Sequence, residues 1–222
     1  MNNETGLDLE NYVIEEKDPN RTRSPYTDNF TERVGYGSDT IKIIKNFMNQ
    51  DELKILHDWS DIVYATNKDS LDYDFKVRQA LKDGLKENAN TIIDKYKIKI
   101  KLTAEKLFQT NLEYDELANK GHLDTNHLNL RHPGFETELH SDNFDKNSNY
   151  DWSGHLSNLV YINNNYRGGE IYFPQHELKI KPEPGMFISF PGNFYNRHGV
   201  VPVDNNRYAL SVFFKILDFK II

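Results

Sequence analysis

Between residues 49 and 97, apolar residues recur every three or four positions. Leu53, Leu56 and Trp59 form one stripe at helical spacing, with Asn49 placed to cap the helix and Glu52 at the third position of its first turn. Val77, Leu81, Leu85, Ala89, Ile92 and Tyr96 form a longer stripe whose other face is Lys, Asp and Glu, predicting one amphipathic helix over 74–96. Gly84 lies inside it and weakens it by about 1 kcal/mol relative to Ala, without being required to break it. Ahead of both helices, Thr40-Ile41-Lys42-Ile43-Ile44-Lys45-Asn46-Phe47 reads as a strand. Residues 1–38 are polar and interrupted by Asp18-Pro19-Asn20 and Ser24-Pro25, which predicts an extended N-terminal arm.

After Tyr96 the apolar period shortens towards two. Segments at 105–112, 126–132, 136–142, 155–163, 169–173, 176–181, 185–190, 197–203 and 206–216 read as strands, separated by turns such as Asn163-Asn164-Asn165 and Pro182-Glu183-Pro184-Gly185. Many short strands with no helices between them predict an antiparallel sandwich or barrel. The resulting expectation is a mainly β domain over 39–222: a jelly-roll core at 105–216 with supporting helices at 49–97 packed on one face.

Composition narrows the chemistry. The chain has 222 residues, 37% hydrophobic and 27% charged, with 13 Tyr and 13 Phe, a balance suited to one sizeable β-rich core. A net charge of −7 and the lack of a Lys/Arg block argue against a nucleic-acid partner. No apolar run approaches the ~20 residues that span a bilayer, and the polar start Met1-Asn2-Asn3-Glu4 does not resemble a secretory signal; a cytoplasmic protein without a membrane partner is expected. With no cysteine, any metal must be held by His and carboxylate.

Such a set is present. In Glu138-Leu139-His140-Ser141-Asp142, the His and Asp are two positions apart, so on a strand they share one face, about 7 Å apart along the chain. Taken alone, the pair reads equally well as a strand histidine followed by a turn aspartate. His198, on a later predicted strand, would complete a two-His-one-carboxylate set suited to Fe(II), Mn(II) or Zn(II). Arg207 follows nine residues later, at the start of a strand where Tyr208, Leu210, Val212 and Phe214 alternate with Arg207, Ala209, Ser211 and Phe213. The alternation leaves open which set faces the site. Inside a barrel, a guanidinium needs an anionic partner. Either a dicarboxylate ligand supplies it, or Arg207 faces solvent, or it pairs with Asp204 or Glu170.

In order and spacing, these residues resemble the 2-oxoglutarate and Fe(II)-dependent oxygenases, specifically the prolyl 4-hydroxylase-like branch. The resemblance runs from about Asn129 to Lys215 through Leu130-Arg131-His132-Pro133-Gly134, the His-x-Asp pair, Leu159-Val160-Tyr161-Ile162-Asn163, Arg167-Gly168-Gly169-Glu170-Ile171, the 181–190 strand and Arg207-Tyr208-Ala209-Leu210-Ser211. It implies a double-stranded β-helix in which His140, Asp142 and His198 ligate Fe(II) and carry catalysis. Arg207 would hold the far carboxylate of 2-oxoglutarate, with Tyr161 beside it and Ser211 further along the same cosubstrate strand. The family usually has a Tyr ahead of the Pro-Gly; His132 stands here, and an imidazole N–H could replace the tyrosine hydroxyl at the cosubstrate.

The implied activity is a dioxygenase that uses O₂ and 2-oxoglutarate to hydroxylate a prolyl residue of a peptide or protein, giving succinate and CO₂, with ascorbate as a further candidate cofactor. Alternatives are an oxygenase of the same superfamily acting on a free amino acid, a small molecule or a nucleic acid base, and a cupin-like metal- or sugar-binding jelly roll. Base demethylases of the superfamily usually carry a second Arg six residues after the anchoring one, where this chain has Phe213. His57, His122, His127, His155 and His176 are expected in surface or capping roles.

Overall fold

The computed structural model describes residues 33–34, 37–64, 70–119, 127–142 and 154–218. Most of the expected N-terminal arm, and His122, lie outside them. The strands are β1 (Lys42–Ile44), β2 (Leu112–Tyr114), β3 (Leu128–Arg131), β4 (Thr137–His140), β5 (His155–Tyr161), β6 (Ile171–Phe173), β7 (Leu178–Ile180), β8 (Phe187–Pro191), β9 (His198–Val200) and β10 (Arg207–Ile216). They form two antiparallel sheets. The larger has the order β1-β8-β5-β10-β2, with β3 also pairing β10; the smaller has the order β4-β9-β6-β7. This is the jelly roll expected from the alternating pattern, the double-stranded β-helix that the family resemblance implied.

Register decides what each face carries. β10 pairs β5 over seven positions, from Ala209 opposite Tyr161 to Lys215 opposite His155, and pairs β3 with Arg207 opposite Arg131. Because side chains alternate along a strand, Tyr208, Leu210, Val212, Phe214 and Ile216 fall on one face with Leu156, Val160 and Phe187, in a core shared with the helices. Arg207, Ala209, Ser211 and Phe213 fall on the other, towards the smaller sheet. There Tyr161, Ile188, Phe190 and Ala209 pack with Ile171, Phe173, Ile180 and Val200 as a second core.

The helices are α1 (Gln50–Val63), α2 (Leu71–Lys82), α3 (Leu85–Phe108) and the short α4 (Glu116–Asn119). Asn49 caps α1 as expected, its Oδ1 accepting from the Glu52 N–H at 2.9 Å. The Glu52 carboxylate also reaches α3, where it accepts from the Tyr96 hydroxyl at 2.7 Å and from Lys95. That contact and the burial of Glu52 tie the two helices together.

Two expectations about the helices are corrected. The single helix over 74–96 is two helices that meet at Gly84, which adopts φ +67°, ψ 20°. Glycine enters this left-handed region without steric cost, so it ends α2 and starts α3 rather than merely softening one helix. Leu81, placed by the sequence stripe on the core side, is 45% exposed because it lies before this break. The strand expected at 105–112 is helical as far as Phe108. Ile100, Ala104 and Phe108 continue the buried stripe of α3, and this longer helical period outweighs the local strand reading.

In the central turns of α3, Ile93 is fully buried in the core shared with β10, whereas Leu102 on the same helix is 60% exposed. Ile93→Ala is expected to cost about 2–5 kcal/mol in denaturant unfolding, and Leu102→Ala to stay within about 0.5 kcal/mol of the parent. Equal costs would contradict this packing.

Candidate functional site

Pairing of β4 with β9 places His140 directly opposite His198, with ring centroids 4.6 Å apart. The register is not regular. Thr137 pairs with Val200 and His140 with His198, so three steps on β4 match two on β9, and an irregularity lies between them. An extra residue of this kind is a β-bulge. It turns Thr137 and His140, an odd number of positions apart, towards one cavity.

Asp142, just beyond β4, completes the cluster. Its Oδ1 lies 3.1 Å from His140 Nε2, and its Oδ2 lies 3.8 Å from His198 Nε2 and accepts from the Ser157 hydroxyl of β5. One ligand atom from each of His140, Asp142 and His198 lies within 4.8 Å of the others. The far ring nitrogens are committed to backbone. His140 Nδ1 lies 2.7 Å from the Glu138 carbonyl and His198 Nδ1 3.1 Å from the Asn196 carbonyl. A carbonyl accepts only, so each Nδ1 carries the proton and each Nε2 lone pair points into the cluster.

Electrostatics agree with that donor set. Burial pushes the His198 imidazole down to about 4, against the pull of Asp142, so it is neutral near pH 7. Burial alone would raise the Asp142 carboxyl, but the adjoining His198 and His140 hold it well below the usual carboxylate range. Two imidazoles and one carboxylate, converging without sulfur, suit a divalent first-row ion.

The cluster opens into a cavity of about 220 Å³ between the sheets, reached by Asn129 and Arg131 of β3 and by Arg207, Ala209, Ser211 and Phe213 of β10. This settles the face left open by the sequence alternation. Arg207 is 4% exposed, and its guanidinium carbon sits 4.9 Å from the Tyr161 ring centroid. The carboxylates considered as its partners are engaged elsewhere: Asp204 pairs with Arg167 at 2.6 Å and Glu170 with Lys181 at 3.3 Å. Arg207 Nε and the hydroxyls of Tyr161, Tyr166 and Thr137 are buried with no hydrogen-bond partner among the described residues. Burying such groups unpaired costs roughly 1–3 kcal/mol each. A basic, hydroxyl-lined end beside a histidine–carboxylate cluster fits a ligand that is anionic at that end and binds metal at the other.

The positions of the residues singled out in sequence can now be compared. His140, Asp142, His198, Arg207 and Ser211 line this one cavity, and Tyr161 lies on the same strand face beneath Arg207. His132 does not. It is exposed and packs on Phe135, at 5.2 Å between ring centroids, because it follows Arg131 and therefore points away from the face Arg131 occupies. A role for His132 at the cosubstrate is accordingly dropped. His127 and His155, expected at the surface, are 1% and 2% exposed. His127 bridges the Tyr114 hydroxyl and the Ser211 carbonyl at 2.9 and 3.1 Å. Sequence reasoning passed over Arg131, Thr137, Ser157 and Tyr166; only Arg131, inside the quoted Leu130–Gly134 stretch, stood next to a recognised signal.

Residues 125–215, a segment that contains every residue of the cavity, match the family model of the 2OG-Fe(II) oxygenase superfamily. The fold is similar to the viral collagen prolyl hydroxylase of Paramecium Bursaria Chlorella virus-1 in its 2OG complex, at 17% identity over 81% of this chain and 97% of that one, with a TM-score of 0.51. A truncated form of the same viral enzyme gives 17% identity over 80% and 91%, with a TM-score of 0.52. At this identity the likeness is one of fold. No curated protein matches the sequence.

Gly169 bears on how Arg207 is held. It adopts φ +74°, and a Cβ there would meet a Tyr166 ring carbon at 2.6 Å, Val203 at 2.9 Å and the Arg207 Cδ at 3.2 Å. Gly169→Ala should therefore displace Arg207 and weaken dicarboxylate binding while leaving metal affinity near the parent value. Ser157→Ala should do the reverse, lowering metal affinity roughly 10–100-fold through loss of its hydrogen bond to Asp142. Calorimetric titration with Mn(II) and with 2-oxoglutarate separates the two.

Proposed function

We propose that this chain is an Fe(II)- and 2-oxoglutarate-dependent dioxygenase that hydroxylates a C–H bond of a prolyl residue in a peptide or protein. The observation that carries the oxygenase reading is the shared cavity itself: a two-His-one-carboxylate cluster at one end and, at the other, a buried guanidinium with no carboxylate partner among the described residues. Supporting the prolyl substrate is the similarity in fold to a viral collagen prolyl hydroxylase. A cupin-like binding protein would have no evident use for the buried Arg207 end.

His140, Asp142 and His198 would hold Fe(II), and Arg207 with the Tyr161 hydroxyl would hold the distal carboxylate of 2-oxoglutarate. Bound together, these groups supply O₂ activation coupled to oxidative decarboxylation. The chain's own contribution is positional. The Glu138 and Asn196 carbonyls fix both imidazole tautomers, and the Ser157 hydroxyl orients the carboxylate. Arg207 and Tyr161 fix one end of the cosubstrate by charge-assisted hydrogen bonds. Phe190, 4.7 Å from the His198 ring, and Phe173, at 5.5 Å, close the metal end against water from behind.

With Fe(II), O₂ and 2-oxoglutarate, proline-containing peptides should raise succinate formation above the peptide-free rate and gain the mass of one oxygen atom. Stimulation by free amino acids or alkylated bases instead would keep the oxygenase and overturn the prolyl substrate. Asp142→Ala should abolish succinate formation by removing the only anionic member of the cluster, and Arg207→Ala should raise the KM for 2-oxoglutarate far more than it lowers metal affinity. If neither variant changed turnover, the site would be misassigned.

A further inference from the structure

The cavity contains more positive charge than one carboxylate end requires. Arg131 on β3 is the antiparallel partner of Arg207 on β10, and the two line the same cavity. Directly opposed residues in an antiparallel pair have Cα atoms about 4.5–5.5 Å apart, so two long side chains from such a pair reach a common point. Among the described residues, neither Arg131 Nε nor Arg207 Nε, both buried, has a hydrogen-bond partner. Among the described residues, neither guanidinium has a carboxylate within ion-pair distance. Each is instead braced by an aromatic ring: Arg131 against Phe135 at 4.8 Å, and Arg207 against Tyr161 at 4.9 Å.

This arrangement is unfavourable in the empty protein. Burial, and then repulsion from Arg207, push the Arg131 guanidinium down to about 10, so Arg131 stays charged at neutral pH and faces Arg207 across the strand pair. Like charges directly opposite in a sheet destabilise it. An anion seated between them removes the repulsion and fills both sets of unused donors at once. A merely structural arginine would be expected to have an acidic partner in the protein, as Arg167 has in Asp204 at 2.6 Å.

We infer that Arg131 and Arg207 form a two-guanidinium clamp on a single carboxylate, the distal one of the dicarboxylate cosubstrate. The inference rests on the cosubstrate reading above and deepens it. It makes Arg131 a binding and specificity residue. The cavity prefers dicarboxylates because one end is gripped twice, and succinate, which keeps that end but lacks the 2-oxo group, is itself a ligand of the clamp.

The test uses the full chain, titrated calorimetrically with succinate, and with 2-oxoglutarate in the presence of Mn(II). Arg131→Met keeps the apolar stem and removes the charge, Arg131→Lys keeps the charge without the fork, and Arg207→Met serves as reference. Arg131→Met should weaken both ligands roughly 10–100-fold, the range expected for losing charge-assisted hydrogen bonds. Arg131→Lys should recover part of the loss, and the ligand-free melting temperature of Arg131→Met should not fall, since a like-charge contact has been removed. Mn(II) affinity should be unchanged in all three variants. If Arg131→Met bound both ligands within about twofold of the parent while Arg207→Met lost them, the clamp would be wrong and the cosubstrate reading would stand. That outcome would also be expected were Arg131 to serve an anionic group of the peptide substrate. If Arg207→Met bound them normally as well, the cosubstrate reading beneath the inference would fail.

Discussion

β10 is buried on both faces, and the rest of the structure depends on its serving two environments at once. One face must be apolar to receive the helices; the other must carry Arg207, Ala209, Ser211 and Phe213 into a polar cavity. Strict alternation allows this only if no residue slips, because a one-residue shift would exchange the two sets. Seven consecutive pairings with β5 and four with β3 hold that register. The helices therefore do more than add core volume. By packing on Tyr208, Leu210, Val212 and Phe214, with the Tyr208 hydroxyl donating to Asp61 of α1 at 2.6 Å, they fix the face that points at the site.

The smaller sheet works under a different constraint. It is short-stranded, yet it supplies both histidines. Its histidines are held by local means: each Nδ1 is tied to the carbonyl two residues before it on its own chain segment. Tautomer and ring orientation are thus set by the backbone. The large sheet provides extended rigidity and the small sheet local fixation, and the cavity lies where the two meet.

Much of this was legible in the sequence. Period-two alternation from 126 to 216 located the strands to within a few residues, because those strands are bounded by Gly, Pro and Asn turns. The order His140, Asp142, His198, Arg207 could be read because its chemistry needs particular residue types at particular spacings. What escaped depended on information that is not local. Gly84 breaks a helix only because the chain turns there, and residues 105–108 are helical because α3 already has a buried stripe to extend. Arg131 and His132 are adjacent basic residues, and only pairing with β10 decides which of them faces inward. Asp204 and Glu170 could be excluded as partners of Arg207 only once Arg167 and Lys181 were seen beside them.

The bulge in β4 carries a consequence for how such a site is encoded. Thr137 and His140 share the cavity although a regular strand would send residues three apart to opposite sides. The inward aim of His140 is therefore a property of chain length as much as of residue identity. One residue fewer between them would leave every side chain chemically intact and turn the histidine outward. In this segment, spacing is itself a functional character, and sequences related to this one could lose or regain the centre by a single-codon change in length, without any substitution at the residues that compose it.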